Sequence, residues 1–171
     1  MGRRAEIKHL PSVTKLNELF IYDAKTGELR WLSIPKSFKR AKVGDLVGTV
    51  GAKHGYRVVG IAGKYYYVHR IIWKMVTDSE PSHQIDHADG DRLNNRFSNL
   101  REATNAQNRW NSRLAKNNSS GVKGVCWESG RNTWVATVNC KRIGRFKSKQ
   151  DAILARMNAA AEMHGEFVRV S

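Results

Sequence analysis

Four side chains in the polar stretch 86–108 are of the types that phosphodiester cleavage needs: Asp86, His87, Asn99 and Asn108. A carboxylate and an amide oxygen are hard donors, suited to Mg²⁺ that keeps several waters and a substrate phosphate oxygen. Such an ion neutralises charge on the transition state and stabilises the leaving oxygen. An imidazole can take a proton from the attacking water, because its ordinary pKa lies near the working pH. The ring then needs a hydrogen-bond partner to fix its orientation, and an asparagine carbonyl serves.

The spacing indicates which elements must carry these groups. Ile85 before the Asp-His pair and Leu100-Arg101 after it read as strand ends bracketing a tight turn at Asp89-Gly90. Thr104 reads as the N-cap of a short helix that carries Asn108 and ends near Ser112. Strand, loop, strand and helix would bring the four groups to one patch. Upstream, His69 to Thr77 reads as a helix apolar on most sides, hence buried. His69 opens that core helix and His83 lies in the turn after Pro81, so both are read as structural.

Asp86-His87, the Asp89-Gly90-Asp91 turn, Asn94-Asn95, Asn99-Leu100-Arg101 and Asn108 resemble the H-N-H nuclease motif of phage and intron-encoded homing endonucleases. The variant is the one in which the last histidine is asparagine. The segment from Val68 to Trp73 is similar to that family's lead-in. The resemblance implies that His87 is the general base and Asn99 its orienting partner. It also implies that Asp86 and Asn108 hold one divalent ion, Mg²⁺ or Mn²⁺, per active site.

The 171 residues suit one or two small domains, and the formal net charge is +15 with a pI near 10.2. A field of that sign draws polyanions, of which double-stranded DNA is the expected partner. The chain has no long apolar run, so no membrane role is expected, and no obligate protein partner is evident. The start, MGRRAEIKHL, lacks an apolar signal core. Cys126 and Cys140 fit neither a zinc-finger spacing nor a disulfide framework. A reducing cytoplasm is expected, that of the host cell if the chain is phage-encoded.

Residues 1–15 are polar and read as a flexible lead-in. From Leu16 to Val68 the pattern reads mostly as β, with a hairpin joining Leu19-Phe20-Ile21 to Leu29-Arg30-Trp31 through Thr26-Gly27. A second turn is expected at Gly63-Lys64. The basic run Lys36 to Lys42 is a candidate phosphate contact. The nuclease domain is thus expected over 16–112, with a linker at 113–120.

Residues 109–171 carry 12 basic and 4 acidic side chains, against 18 and 11 in residues 1–108, so the C-terminal part is the more densely basic. Its pattern predicts strands at Val122 to Trp127, Thr133 to Asn139 and Arg142 to Phe146, then a helix from Lys149 to His164. Ser148 with Asp151 reads as a capping box and Gly165 as the C-cap. Ala152, Ile153, Met157, Ala160 and Met163 are available to face the sheet. Period two turns Trp134, Ala136 and Val138 toward the helix and leaves Val135, Thr137 and Asn139 on an open face.

Gly121 to Val125, Trp134-Val135-Ala136, Ile143 to Phe146 and the alanine-rich helix resemble the Apetala-type (ethylene-response-factor) DNA-binding domain, in which the sheet reads DNA. By position that resemblance makes Lys123, Trp127, Arg131, Thr137, Asn139, Arg142 and Arg145 DNA contacts. It departs from the plant pattern at Cys126, where an arginine is usual. Arg101 and Arg109 are further candidate contacts within the nuclease segment, and Arg156, on the helix, is expected to face away from DNA.

The whole reads as an α+β chain: a β-rich lead-in, a ββα-metal nuclease motif over 16–112, then a three-stranded antiparallel sheet packed on one helix over 121–171. Its expected activity is metal-dependent hydrolysis of double-stranded DNA with site selection by the sheet. The alternative is a sequence-specific DNA-binding regulator with an inactive nuclease site.

Overall fold

The structure is a computed structural model that describes residues 9–36, 38–52, 54–111, 114 and 118–164. It is mixed α and β, with four α-helices and four small antiparallel sheets among the described residues. The chain divides into two compact units, Met1–Ala103 and Thr104–Ser171. The division therefore falls earlier than the linker expected at 113–120, much of which lies outside the described residues.

The first unit opens on helix α1 (Val13–Leu19), where a flexible lead-in and then strand were expected. The Ser12 side chain accepts from Lys15 N at the helix start, and Leu16 and Leu19, three apart, are buried. Leu10 is buried too, and its N–H donates to the Glu80 carboxylate at 2.8 Å. Residues 9–15 are therefore tied down, while 1–8 lie outside the described residues.

Strands β1 (Phe20–Asp23) and β2 (Glu28–Trp31) form the expected hairpin. Gly27 closes it with φ of 78°, and a Cβ there would lie 2.8 Å from the Asn95 carbonyl carbon. Only glycine tolerates both the left-handed backbone and that approach.

A three-stranded sheet follows: β3 (Thr49–Val50), β4 (Arg57–Ile61) and β5 (Lys64–Tyr67), in that spatial order. Ala62 and Gly63 make its two-residue turn. Helix α2 (Val68–Thr77) buries Val68, His69, Ile71 and Ile72 in the core beside Phe20, Leu29 and Trp31. Two short strands complete the unit, β6 (Gln84–His87) and β7 (Leu100–Ala103). Ile85 and Leu100 anchor this last hairpin in the same core.

The second unit begins with α3 (Asn105–Trp110), whose N-cap Thr104 forms a full capping box with Gln107. Then come β8 (Val125–Glu128), β9 (Thr133–Val138) and β10 (Lys141–Phe146), with β9 central, and helix α4 (Lys149–His164). The expected three strands and helix are present, and Ser148 Oγ accepts from the Gln150 and Asp151 amides. Gly165 lies outside the described residues.

Val125, Ala136 and Ala152 make the buried centre of this unit, flanked by Trp134, Phe146 and Ile153. The buried stripe of α4 is Ala152, Arg156 and Ala160, at i, i+4 and i+8. Met163, expected in that face, is half exposed, and Arg156, expected to face away from DNA, is buried in the stripe.

Candidate active site and nucleic-acid interface

Strands β6 and β7 pair in the register Asp86↔Arg101 and His87↔Leu100, so the catalytic candidates lie on an ordered ladder. Asp86, His87 and Ile85 are all buried. Arg101 faces Asp86 directly, and its Nε and Nη2 both donate to Asp86 Oδ2 at 3.1 Å. Arg101, a candidate DNA contact, thus also holds the carboxylate beside His87.

The loop between the strands is closed by its own carboxylates and amides. Asp89 Oδ1 accepts from Asp91 N, and Asp89 Oδ2 accepts from Asn94 Nδ2. Asn99 belongs to this network: its Oδ1 accepts from Asp89 N, and its Nδ2 donates to Asp89 Oδ1 and Asn94 O. Burial works against the Asp89 anion, yet the hydrogen bonds from Asn94, Asp91 and Asn99 hold its carboxyl below the ordinary value.

The side chain bonded to the His87 ring is Asn95, whose Oδ1 lies 3.0 Å from Nε2. Asn99, expected to orient the ring, has its amide in the loop network beside it. Asn95 is buried, its Nδ2 donates to Leu93 O, and its own carbonyl accepts from the Tyr22 hydroxyl at 3.1 Å. With the amide oriented in this way, Nε2 carries the proton and the imidazole lone pair resides on Nδ1.

Burial pulls the His87 pKa below its ordinary value, opposed by the Asn95 hydrogen bond and the Asp86, Asp89 and Asp91 carboxylates. Burial thus favours the neutral ring, the form a base needs.

His69, read from sequence as structural, stands edge-on to His87 with ring centroids 5.2 Å apart. It also stacks on Tyr67 at 5.3 Å and touches Tyr56. Burial, then the neighbouring His87 and Arg70, push its pKa down to about 3, so it is a neutral packing wall for the His87 ring. The signal in the sequence was its place at the head of the buried helix. His83 is exposed and shares a hydrogen bond with Ser82.

Asn108 sits on α3 in the second unit, where its backbone N–H bonds to Thr104 O. By donor chemistry, the Asp86 carboxylate and the Asn108 amide fit a hard divalent cation. Arg101 occupies one Asp86 oxygen.

A family model for HNH endonucleases matches residues 66–110, a segment that contains His69, Asp86, His87, Asn95, Asn99 and Asn108. Protein 3.8 of Escherichia phage T7 is 33% identical over 105 residues, covering 59% of this chain and 87% of that protein. The chain carries an HNH endonuclease domain over residues 66–110. An uncharacterized HNH endonuclease of Acanthamoeba polyphaga mimivirus is 35% identical over 120 residues, 67% of this chain and 62% of the relative. No solved structure matches the chain. HNH endonucleases are hydrolases that cleave DNA, and they are generally dependent on a divalent metal. Among the described residues no helix is long and apolar enough to cross a membrane.

In the second unit of this HNH endonuclease the expected DNA contacts scatter. Arg142 pairs in register with Thr137 and is exposed on β10, and Arg131 is exposed in the turn between β8 and β9. Arg145 is ion-paired with Glu128, Nε to Oε2 at 2.7 Å. Trp127 lies opposite Trp134, rings 5.3 Å apart, so pairing parity puts it at the rim of the helix-facing side rather than on the open face.

Asn139 is a turn residue, not a strand residue: with Cys140 it makes a two-residue turn, φ 51° and 63°. Lys123 Nζ donates to the carbonyls of Arg109 and Trp110, closing the C-terminus of α3. Arg109 itself is exposed on that helix.

Proposed function

We propose that this HNH endonuclease hydrolyses double-stranded DNA with His87 as general base, acting from Nδ1. The supporting observation is the buried, neutral His87 ring with Nε2 bonded to Asn95 beside the Asp86 carboxylate. Nδ1 takes the proton of the attacking water as its oxygen bonds to phosphorus, and the bond to the leaving sugar oxygen breaks. Asp86 and Asn108 would hold one Mg²⁺ or Mn²⁺, which supplies charge neutralisation at the phosphate and leaving oxygen. Asn99 keeps the loop closed, and Asn95 keeps the base in its tautomer.

Residues 104–171 bind DNA and select the site through the open sheet face, centred on Arg142 and Thr137. The net charge of +15 supports this reading. A role in mobility of a phage genome, in the host cytoplasm, is consistent with the phage and viral relatives.

The test is supercoiled DNA with Mg²⁺ or with EDTA, comparing wild type and His87→Ala. Nicking that needs metal and falls by roughly 10²–10⁴ in the variant, at unchanged DNA affinity, is expected. Tight binding without cleavage in any metal would replace this reading with a regulator whose nuclease site is dead.

A further inference from the structure

Arg156 lies in the buried stripe of α4 between two alanines, 4% exposed. Its Nε and Nη1 are buried, and neither has a hydrogen-bond partner among the described residues. Asp151 and Glu162, the carboxylates of the same helix, are exposed. An enclosed cation with no acceptor is costly, since it has lost water without gaining a counter-charge. Burial accordingly pulls the guanidinium below its ordinary pKa.

Arg156, Arg109, Lys123, Gly124 and Thr137 line a cavity of about 470 Å³ that contains no acidic side chain among the described residues. Gly124 is part of the design: φ is 75°, and a Cβ there would collide with Thr137 O and sit 3.5 Å from Arg156 Nε. The left-handed backbone and the Thr137 carbonyl thus fix glycine here, and Arg156 Nε packs against it at van der Waals distance.

We propose that this cavity is a binding site for a phosphate-type oxyanion, held by Arg156 with support from Arg109 and Lys123. Guanidinium is the group best matched to such an anion, because its planar donors pair with two oxygens at once. The source is either a DNA backbone phosphate or the phosphate of a free small molecule. The DNA source rests on the reading of residues 104–171 as a DNA-holding unit, whereas the oxyanion site does not.

The experiment uses the full chain and inorganic phosphate as probe, exchanged against chloride at constant ionic strength, with thermal unfolding as readout. Wild type and Lys147→Met, which removes an exposed charge instead, should gain the same phosphate-dependent rise in Tm. Arg156→Met should lose that rise, with apparent phosphate affinity down about ten- to hundredfold. It should also be no less stable than wild type without phosphate, because an apolar chain replaces an unpaired buried charge. Equal phosphate responses in all three proteins overturn the proposal.

Duplex DNA then names the source. A salt slope reduced by about one in Arg156→Met assigns the site to the backbone. Unchanged DNA binding with a lost phosphate response assigns it to a small molecule. Should Arg156→Met fail to fold, amide spectra of the wild type decide. Saturable phosphate-dependent shifts at Gly124 and Thr137 support the site, and shifts that grow linearly without saturation overturn it.

Discussion

Arg101 places both Nε and Nη2 on one oxygen of Asp86, directly across the β6–β7 ladder. The carboxylate expected to hold the divalent ion is thereby neutralised by a side chain of the same hairpin. Arg101→Met should lower Tm in EDTA, since a buried carboxylate is left without its partner, at a cost of about 1–3 kcal/mol. Added Mg²⁺ should restore much of that loss, and the Mg²⁺ concentration for half-maximal cleavage should fall. An unchanged metal requirement would mean that Arg101 and the ion do not compete for Asp86.

Asn95 rather than Asn99 should control the base. Asn95→Asp places an anion against the His87 ring and should raise its pKa, moving the acid limb of the rate profile to higher pH. In wild type that limb lies below an ordinary histidine's, because burial favours the neutral ring. Asn99→Ala should leave the limb in place and lower Tm through loss of the loop network. A limb that moves with Asn99 and ignores Asn95 would reverse the assignment.

His69 makes stability depend on pH. Its pKa is about 3 folded against 6.5 for the free side chain, so between those values the unfolded chain binds the extra proton. Stability is full above pH 6.5 and declines as pH falls toward 3, by at most about 1.4 kcal/mol per pH unit. His69→Gln should flatten that stretch of a denaturation series. A slope identical to that of wild type would place the acid sensitivity elsewhere.

Arg142 and Arg145 should differ on DNA although they share a strand. Arg145 is held by Glu128 at 2.7 Å, whereas Arg142 is exposed opposite Thr137. Arg142→Ala should reduce the salt slope by about one if it meets a phosphate, or relax preference at one base by about 1–3 kcal/mol. Arg145→Ala should do less of either. Anisotropy across a salt series on specific and scrambled duplexes separates them, and a larger loss at Arg145 would reject the open-face reading.

The nuclease segment was legible because its chemistry is written in rare residue types at fixed spacing, from Asp86-His87 to Asn108. The partner of the ring was not: Asn94, Asn95 and Asn99 are alike in type, and only the path of the loop decides which amide meets His87. The face of Trp127 was not legible, because it follows from its register with Trp134, which the sequence of one strand does not contain. Helix α1 is only seven residues, too short for its Leu16–Leu19 spacing to outweigh the neighbouring β pattern. Arg156 could have been found, since its i+4 and i−4 neighbours are both alanines on an otherwise buried stripe.

The contact of Gly27 with the backbone at Asn95 and Arg96 bears on how this nuclease can be cut and rejoined. The matched family segment, 66–110, contains every reacting group named here, but not the floor under Asn95. Tyr22 and Gly27 supply that floor from the first hairpin, by a hydroxyl on the Asn95 carbonyl and by bare backbone. Grafted alone onto another DNA-binding module, 66–110 would carry its histidine without the floor that holds Asn95 against the ring. The smallest portable nuclease therefore begins upstream of Phe20, and a library of chimeras joined inside the β1–β2 turn should lose turnover before it loses DNA binding.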